Sequence, residues 1–135
     1  LSYSITQAPS AIGILSAQKK AIEITSDCIY RRTFHSDRGW AYQMGAYSSA
    51  LRENKIFQSM SRKGNCYDNS VMESFFASLR REELYRKKYR SEKEFYKAVD
   101  DYIEFYNERR PHAKLQYKTP NQKEREYKEK SEDFE

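Results

Sequence analysis

The sequence predicts an α/β fold, and three observations support this prediction. Short runs of alternating or β-rich residues at positions 1–6, 28–35 and 56–60 are typical of strands. Segments with apolar residues at helical spacing, at positions 11–25 and 44–54, separate these runs. Two longer amphipathic segments, which begin near residues 68 and 91, predict long helices in the second half of the chain.

Each element of the first half has its own local signal. Residues 1–6 alternate apolar and polar side chains and stop shortly before Pro9, which fits the end of a strand. Ser10 is placed to cap the helix that follows, although Gly13 weakens its first turn. Residues 28–35 form a strand-like run that leads into a polar turn at residues 36–39. The helix at residues 44–54 and the strand at residues 56–60 complete the alternation.

The second half of the chain is predicted to be mainly helical. After a polar loop at residues 61–67, one helix begins at residues 68–70 and runs to Leu84. A second helix begins at Ser91, where Glu94 completes a capping box, and ends near Asn107. The chain is then extended to Pro120, and residues 121–135 read as a charged tail or frayed helix. We therefore expect one domain over residues 1–120 and a charged tail over residues 121–135.

The composition is that of a folded domain with few aliphatic residues. Leu, Ile, Val and Phe total 23 of 135 residues, about 17%, which is low for a globular chain. The net charge of +5 favours a polyanionic partner, and residues 80–90 hold six basic and two acidic side chains. Two cysteines are too few for a disulfide framework, and no apolar window is long enough to span a membrane. We predict a cytoplasmic protein without membrane contact.

Two carboxylates are candidates for metal binding. Asp37 follows a predicted strand and Glu73 lies in the first turn of a predicted helix, so both can face one cleft. Their oxygens are hard ligands that suit Mg²⁺, and two such ions about 4 Å apart promote phosphodiester chemistry. Both residues also have ordinary interpretations. Ser70 and Glu73 fit a capping box, and Asp37 fits a turn.

Four strings of residues occur in order along the chain: FHSDRGWAY at 34–42, SMSRKGNC at 59–66, DNSVMESFF at 68–76 and YNERRPHAKLQYKTP at 106–120. Together they resemble the catalytic core of insertion-sequence transposases of the retroviral-integrase (DDE) type. The first resembles the signature around the second aspartate, the next two the loop and catalytic helix, and the last the closing segment. Asp37 and Glu73 are separated by 35 residues, the interval for which the family is known. The resemblance extends from residue 1 to about residue 127.

The resemblance implies an RNase-H-like fold and a transposase that cleaves and joins DNA with two Mg²⁺ or Mn²⁺ ions. Asp37 and Glu73 are then catalytic, metal-binding residues. Four basic residues are placed to hold the DNA backbone, with a solvated basic face as the alternative for each: Arg62, Lys63, Arg80 and Arg81. The implied partners are the element ends and the target DNA. The implied location is the bacterial cytoplasm, in association with the nucleoid.

The chain departs from the family pattern where the first aspartate is expected. In the family this residue lies on the first strand of the sheet, tens of residues before the second aspartate. The only acidic residues before Asp37 are Glu23 and Asp27, and neither lies in the right motif. We therefore expect an RNase-H-like fold that is incomplete at its N-terminus, with central strands missing between residues 1–6 and 28–35. Strand edges left unpaired predict self-association into a homo-oligomer.

Other functions remain open from the sequence. With the first aspartate missing, we expect the isolated chain to be inactive, and a truncated remnant that only binds DNA or oligomerises is the main alternative. A two-carboxylate glycoside hydrolase is a third class, which the ordered motifs disfavour. A zinc site is not expected, because the spacing of four candidate ligands matches no zinc pattern: Cys28, His35, Cys66 and His112. We expect His35 to pack beneath the site and His112 to be structural or to contact phosphate.

Overall fold

The structure, a computed structural model, describes residues 2–132, which form two compact units divided between Glu73 and Ser74. The elements follow in this order: α1 (Ala11–Ile24), β1 (Thr33–Ser36), a 3₁₀ turn (Trp40–Gln43), α2 (Gly45–Glu53), β2 (Phe57–Met60), a 3₁₀ turn (Cys66–Asn69), α3 (Ser70–Leu79), a π-helix (Arg80–Leu84), α4 (Glu92–Glu108), a 3₁₀ turn (Ala113–Leu115) and α5 (Pro120–Glu132).

A small parallel sheet forms the centre of the first unit. Strands β1 and β2 pair in parallel, with Thr33 opposite Phe57 and Ser36 opposite Met60. Helix α2 connects the two strands, which is the crossover that parallel strands require. The predicted strand, helix and strand between residues 28 and 60 are therefore confirmed, and the fold of this unit is α/β.

The core of the first unit lies between α1, α2 and the sheet. Its buried centre consists of Tyr47, Leu51 and Ile56, and partly buried side chains of α1, of β1 and of residues 42–44 pack around it. Gln18 is also buried, and its side-chain amide donates a 2.8 Å hydrogen bond to the Tyr47 carbonyl oxygen. This bond satisfies the polar group that burial would otherwise penalise.

The end of α2 sets the start of β2. The Ile56 amide donates to the Leu51 carbonyl at 2.9 Å, and Lys55 has a φ of 55°. This is the Schellman arrangement, in which a left-handed residue ends the helix and reverses the chain. Glycine usually occupies this position, so Lys55 adopts a conformation that its Cβ disfavours.

Two strand predictions are corrected by the structure. Residues 2–6 form no strand, and residue 1 lies outside the described residues. The Ser2 hydroxyl donates instead to the Ala17 carbonyl on α1, and the Thr6 hydroxyl donates to the Ala8 carbonyl. The run predicted at residues 28–35 is a strand only from Thr33, because its partner β2 begins at Phe57 and offers no ladder further back.

The second unit contains the helical half of the chain. The helix predicted from residues 68–70 to residue 84 is present, but its last five residues are a π-helix that begins at Arg80. Helix α4 begins as predicted, since the Ser91 hydroxyl accepts from the Glu94 amide at 3.1 Å. The Glu94 carboxylate accepts from the Arg90 amide at 2.8 Å, one residue before the position expected for a capping box.

Helix α5 confirms the helical alternative for the charged ending, whereas the segment predicted to be extended up to Pro120 contains a 3₁₀ turn at Ala113–Leu115. The Thr119 hydroxyl accepts from the Gln122 amide at 3.2 Å, and the Gln122 side chain accepts from the Thr119 amide at 2.9 Å. Pro120 follows as the first helical residue, so this start combines a capping box with a proline at its preferred position. The last three residues of the predicted tail lie outside the described residues. Among residues 2–132, no helix is both long and apolar enough to cross a lipid bilayer.

Candidate active site

Asp37 follows the carboxyl end of β1, where its side chain forms a tight turn. Its Oδ1 atom accepts a 2.7 Å hydrogen bond from the Gly39 amide. A Cβ atom at residue 39 would lie 2.9 Å from this oxygen, so only glycine allows the approach without displacement. Oδ2 accepts no hydrogen bond from the described residues. The turn interpretation of Asp37 is therefore correct for one oxygen and leaves the other available.

Tyr42 shares the environment of this carboxylate. Burial raises the pKa of its phenol, and the nearby negative charge of Asp37 raises it further. The Tyr42 ring meets Tyr47 edge-on, with ring centroids 5.4 Å apart, so the core fixes its position. The Asp37 charge thus lies beside a phenol that stays protonated at neutral pH.

Glu73 lies in the first turn of α3 with an exposed side chain. The capping-box interpretation would require its carboxylate to accept from a backbone amide at the start of the helix. Among residues 2–132, no group donates a hydrogen bond to this carboxylate. A carboxylate in the first turn of a helix interacts favourably with the helix dipole.

The ends of the two strands are joined by His35. Its Nδ1 lies 2.9 Å from the Ser59 hydroxyl and its Nε2 lies 3.2 Å from the Ser61 hydroxyl. Both ring nitrogens lie within hydrogen-bond distance of serine side chains at the end of β2. His35 therefore connects the ends of β1 and β2 next to the Asp37 turn. Arg38 adds a second connection, since its Nε donates to the Ser61 carbonyl oxygen at 2.9 Å.

The sequence did not reveal Asp68, which organises the loop before α3. Arg62 donates to the Asp68 carboxylate from its backbone amide, its Nε and its Nη2, at 2.9, 3.0 and 2.9 Å. These bonds lower the pKa of Asp68 to about 2, and the charge of His35 adds a small contribution. The His35 effect indicates that the loop before Glu73 lies near the end of β1.

The four basic residues predicted to bind DNA occupy different settings. Arg62 is paired with Asp68, so part of its guanidinium is used within the protein. Lys63 is exposed, just before Gly64, which has a φ of 75°. In the second unit, Arg80 is exposed at the start of the π-helix, and the Arg81 Nε donates to the Ala77 carbonyl oxygen at 3.3 Å. The first unit thus holds Asp37, Glu73, Arg62 and Lys63.

No group of three or more His, Cys, Asp or Glu residues that could hold a metal ion occurs within residues 2–132. Asp37 and Glu73 lie in the same unit but on separate elements, β1 and α3. The described part of the chain therefore brings no three such ligands together.

Comparison with known proteins identifies the family. Residues 54–120 match the family described as Integrase core domain. A transposase for insertion sequence element IS904 from Lactococcus lactis is 42% identical over 87 residues, which cover 64% of this chain and 34% of the relative. The chain belongs to the integrase-core transposases of insertion sequences. An integrase core implies an RNase-H-like fold, and helices with a two-stranded parallel sheet are consistent with part of one.

Two further relatives are also similar to this chain. An uncharacterised transposase-like protein of Haemophilus influenzae is 40% identical over 120 residues, 89% of this chain and 55% of the relative. A transposase for insertion sequence IS3A of Escherichia coli is 40% identical over 80 residues, 58% of this chain and 28% of the relative. The chain thus spans about half, or less, of the length of these relatives.

The closing segment of the chain, residues 106–120, connects the π-helix and α4 in the second unit. The Arg110 Nε donates to both oxygens of Glu82 on the π-helix, at 3.1 and 2.8 Å. The Tyr102 hydroxyl donates to the same carboxylate at 2.9 Å. The His112 Nε2 lies 3.2 Å from the Tyr106 carbonyl oxygen, and its ring meets the Tyr106 ring edge-on. His112 is therefore structural, which was one of the two roles expected for it.

Proposed function

We propose that this chain supplies Asp37 and Glu73 as metal-binding carboxylates of a transposase that cleaves and joins DNA. The observation that carries the proposal is the setting of Asp37. One of its oxygens holds the turn after β1, and the other is available at the carboxyl end of a parallel strand. Glu73 is exposed in the first turn of α3, within the matched integrase core. The relatives named as transposases support this function over an inactive remnant.

Two carboxylates fit a hard divalent cation, and Mg²⁺ or Mn²⁺ is the ion we propose. Such ions activate an attacking oxygen and stabilise a leaving one in phosphodiester chemistry. The role of this chain is to fix the ligands. The Gly39 amide orients the Asp37 carboxylate, and Glu73 lies in the first turn of α3, where a carboxylate interacts favourably with the helix dipole. The third ligand is expected on a further strand of the complete core.

We propose that the DNA backbone is held by Lys63, Arg80 and Arg81, with a smaller role for Arg62. The bonds of Arg62 to Asp68 use its Nε and Nη2 atoms, which leaves Nη1 for a phosphate oxygen. Lys63 and Arg80 are exposed and pair with no acidic group among the described residues. Phosphate contacts of this kind position a protein on DNA without reading its sequence.

The proposed organisation is a partial core over residues 1–120 followed by a charged tail over residues 121–135. The family match ends at residue 120, which supports this division. We also propose that strands preceding β1 are missing from this chain and that copies associate through the edge of β1 left without a ladder. The sheet contains only two strands among the described residues, in support of this view. The bacterial cytoplasm and nucleoid are the proposed location.

Manganese binding to the isolated chain provides the first test. Because Mn²⁺ is paramagnetic, it should broaden the amide signals of residues near Asp37 and Glu73 in a nuclear magnetic resonance spectrum. The broadening should disappear with Asp37→Asn and persist with Glu23→Gln, an exposed carboxylate on α1 that serves as the matched control. Broadening centred elsewhere, or equal in both variants, would contradict the proposal.

A cleavage assay provides the second test. We expect no Mn²⁺-dependent nicking or strand transfer by the isolated chain, because two ligands do not complete the site. A chimera that joins the part of the Haemophilus influenzae relative outside the matched region to this chain should gain activity. That activity should be lost with Asp37→Asn or Glu73→Gln and kept with Glu23→Gln. Metal-dependent cleavage by the isolated chain that depends on Asp37 would show that the expected inactivity is wrong.

A further inference from the structure

A basic groove lies at the amino ends of the two strands, opposite the end that carries Asp37. It has a volume of about 840 Å³, and its lining includes Tyr30, Arg31, Arg52, Lys55 and Phe57. With Arg32, the lining contains four basic side chains and no acidic one. All of these residues belong to the first unit. The groove is therefore a positively charged surface separate from the proposed catalytic carboxylates.

One of the four basic side chains has a structural role. The Arg32 Nη1 donates to the Ile22 carbonyl and the Thr25 hydroxyl, at 3.0 and 3.1 Å. Its Nη2 donates to the Asn54 carbonyl at 3.1 Å. These carbonyls lie at the ends of α1 and α2, where a cation satisfies unpaired acceptors. Arg32 thus holds two helix ends together and is not counted as a ligand-binding group.

The other three basic groups are available to a ligand. Arg31, Arg52 and Lys55 are exposed, and none pairs with an acidic group within residues 2–132. The Arg31 guanidinium lies 4.8 Å from the centroid of the Phe57 ring. This stacking orients the guanidinium while its N–H groups remain free to bind an anion. Lys55 is the residue with left-handed backbone angles that ends α2, a position at which glycine would have a less strained backbone.

We infer that this groove binds the phosphate backbone of DNA at a distance from the proposed catalytic end. The inference rests on the proposed function for the identity of the polyanion. Arg32 immediately precedes β1 and Asp37 immediately follows it, which separates the two ends by about 16 Å at roughly 3.3 Å per residue. That span corresponds to about five base pairs of duplex DNA. A duplex bound near Asp37 is long enough to reach Arg31, Arg52 and Lys55.

The test is equilibrium binding of a 30-base-pair duplex, measured by fluorescence anisotropy in EDTA over a range of salt concentrations. The groove variant carries Arg31→Gln, Arg52→Gln and Lys55→Asn, where Asn tolerates the left-handed conformation. The control variant carries the same loss of charge at exposed lysines outside the groove: Lys19→Gln, Lys20→Gln and Lys93→Gln. Thermal melting of both variants verifies that they fold.

The groove variant should bind DNA about tenfold more weakly at 100 mM salt, and its salt slope should fall by about 2.7 for three lost contacts. The Kd and the salt slope of the control variant should change much less. If the triple variant fails to fold, Lys55→Asn alone should raise the Kd about two- to threefold and lower the slope by about 0.9. Equal binding by groove and control variants overturns the inference, as does a salt slope that does not change.

The two proposals fail separately. Weak binding by the groove variant together with no cleavage by the chimera would retain the groove and reject the catalytic proposal. Cleavage by the chimera, together with unchanged DNA binding by the groove variant, would retain the catalytic proposal and reject the groove.

Discussion

Removing the Arg110 side chain should destabilise the second unit by more than any surface ion pair does. Arg110 makes a two-pronged contact with Glu82, whose other hydrogen bond comes from Tyr102. Hydrogen bonds to charged groups contribute about 1.5–3 kcal/mol each, which partial exposure reduces. The two side chains are 24% and 31% exposed, so we expect Arg110→Ala to cost about 2–3 kcal/mol. Arg110→Lys should cost about 1 kcal/mol, because lysine lacks the planar fork.

The pH dependence gives this prediction a distinctive signature. Arg110 lowers the pKa of Glu82 below its ordinary value of 4.5. The stabilisation by the pair is therefore complete above pH 4.5 and is lost as pH falls through the lowered pKa of Glu82. The difference in unfolding free energy between the original chain and Arg110→Ala should shrink over this acid range.

Urea denaturation at several pH values measures these differences. The matched control is Lys97→Ala, which removes a pair with Asp101 whose side chains are 75% and 60% exposed. It should cost much less than Arg110→Ala, because solvent screens an exposed ion pair. A loss of about 2.5 kcal/mol also lowers the melting temperature by about 9 °C for cooperative unfolding of the whole chain, at roughly 2.1 cal/mol/K per residue. The reasoning is refuted if Arg110→Ala and Lys97→Ala are equally stable.

Two further predictions concern the first unit. The carboxyl of Asp68 should titrate at a pKa of about 2 in a carbon-13 spectrum, and Arg62→Ala should raise that pKa towards 3.8; an unchanged midpoint would contradict the Arg62 assignment. Gly39→Ala should displace the Asp37 carboxylate, which a Cβ would approach to 2.9 Å, and reduce Mn²⁺ broadening about tenfold, equivalent to the loss of roughly one hydrogen bond. Gly45→Ala is the control, since a Cβ there meets nothing within 4 Å; equal broadening in both variants would count against the turn.

Local signals in the sequence predicted the helices more accurately than the strands. The Ser91 cap and the apolar spacing of α4 act within a few residues, so they can be recognised without a partner. A strand exists only where a neighbour pairs with it. The run at residues 28–35 therefore became a strand of four residues, as long as β2 allows, and residues 2–6 found no ladder. Their sequence alternation could not supply the missing partner.

In the candidate site, too, contacts between residues close in sequence were predictable, whereas contacts that depend on the path of a loop were not. The Asp37 turn needs only Gly39, two residues away, and was anticipated from the sequence. The pairing of Arg62 with Asp68 depends on how the loop closes, and no spacing rule indicates it. One signal was overlooked. Thr119, Pro120 and Gln122 form a helix start that favours a helix over a tail for the charged ending.

The π-helix has a consequence for how the chain tolerates changes in length. Its bond from the Tyr85 amide to the Arg80 carbonyl spans one residue more than an α-helical bond. One extra residue in a helix rotates all following side chains by about 100°. Deleting a single residue from Arg80–Leu84 would therefore restore an ordinary α-helix and turn Glu82 away from Arg110. In this segment the number of residues, rather than their chemistry alone, sets which side chains meet.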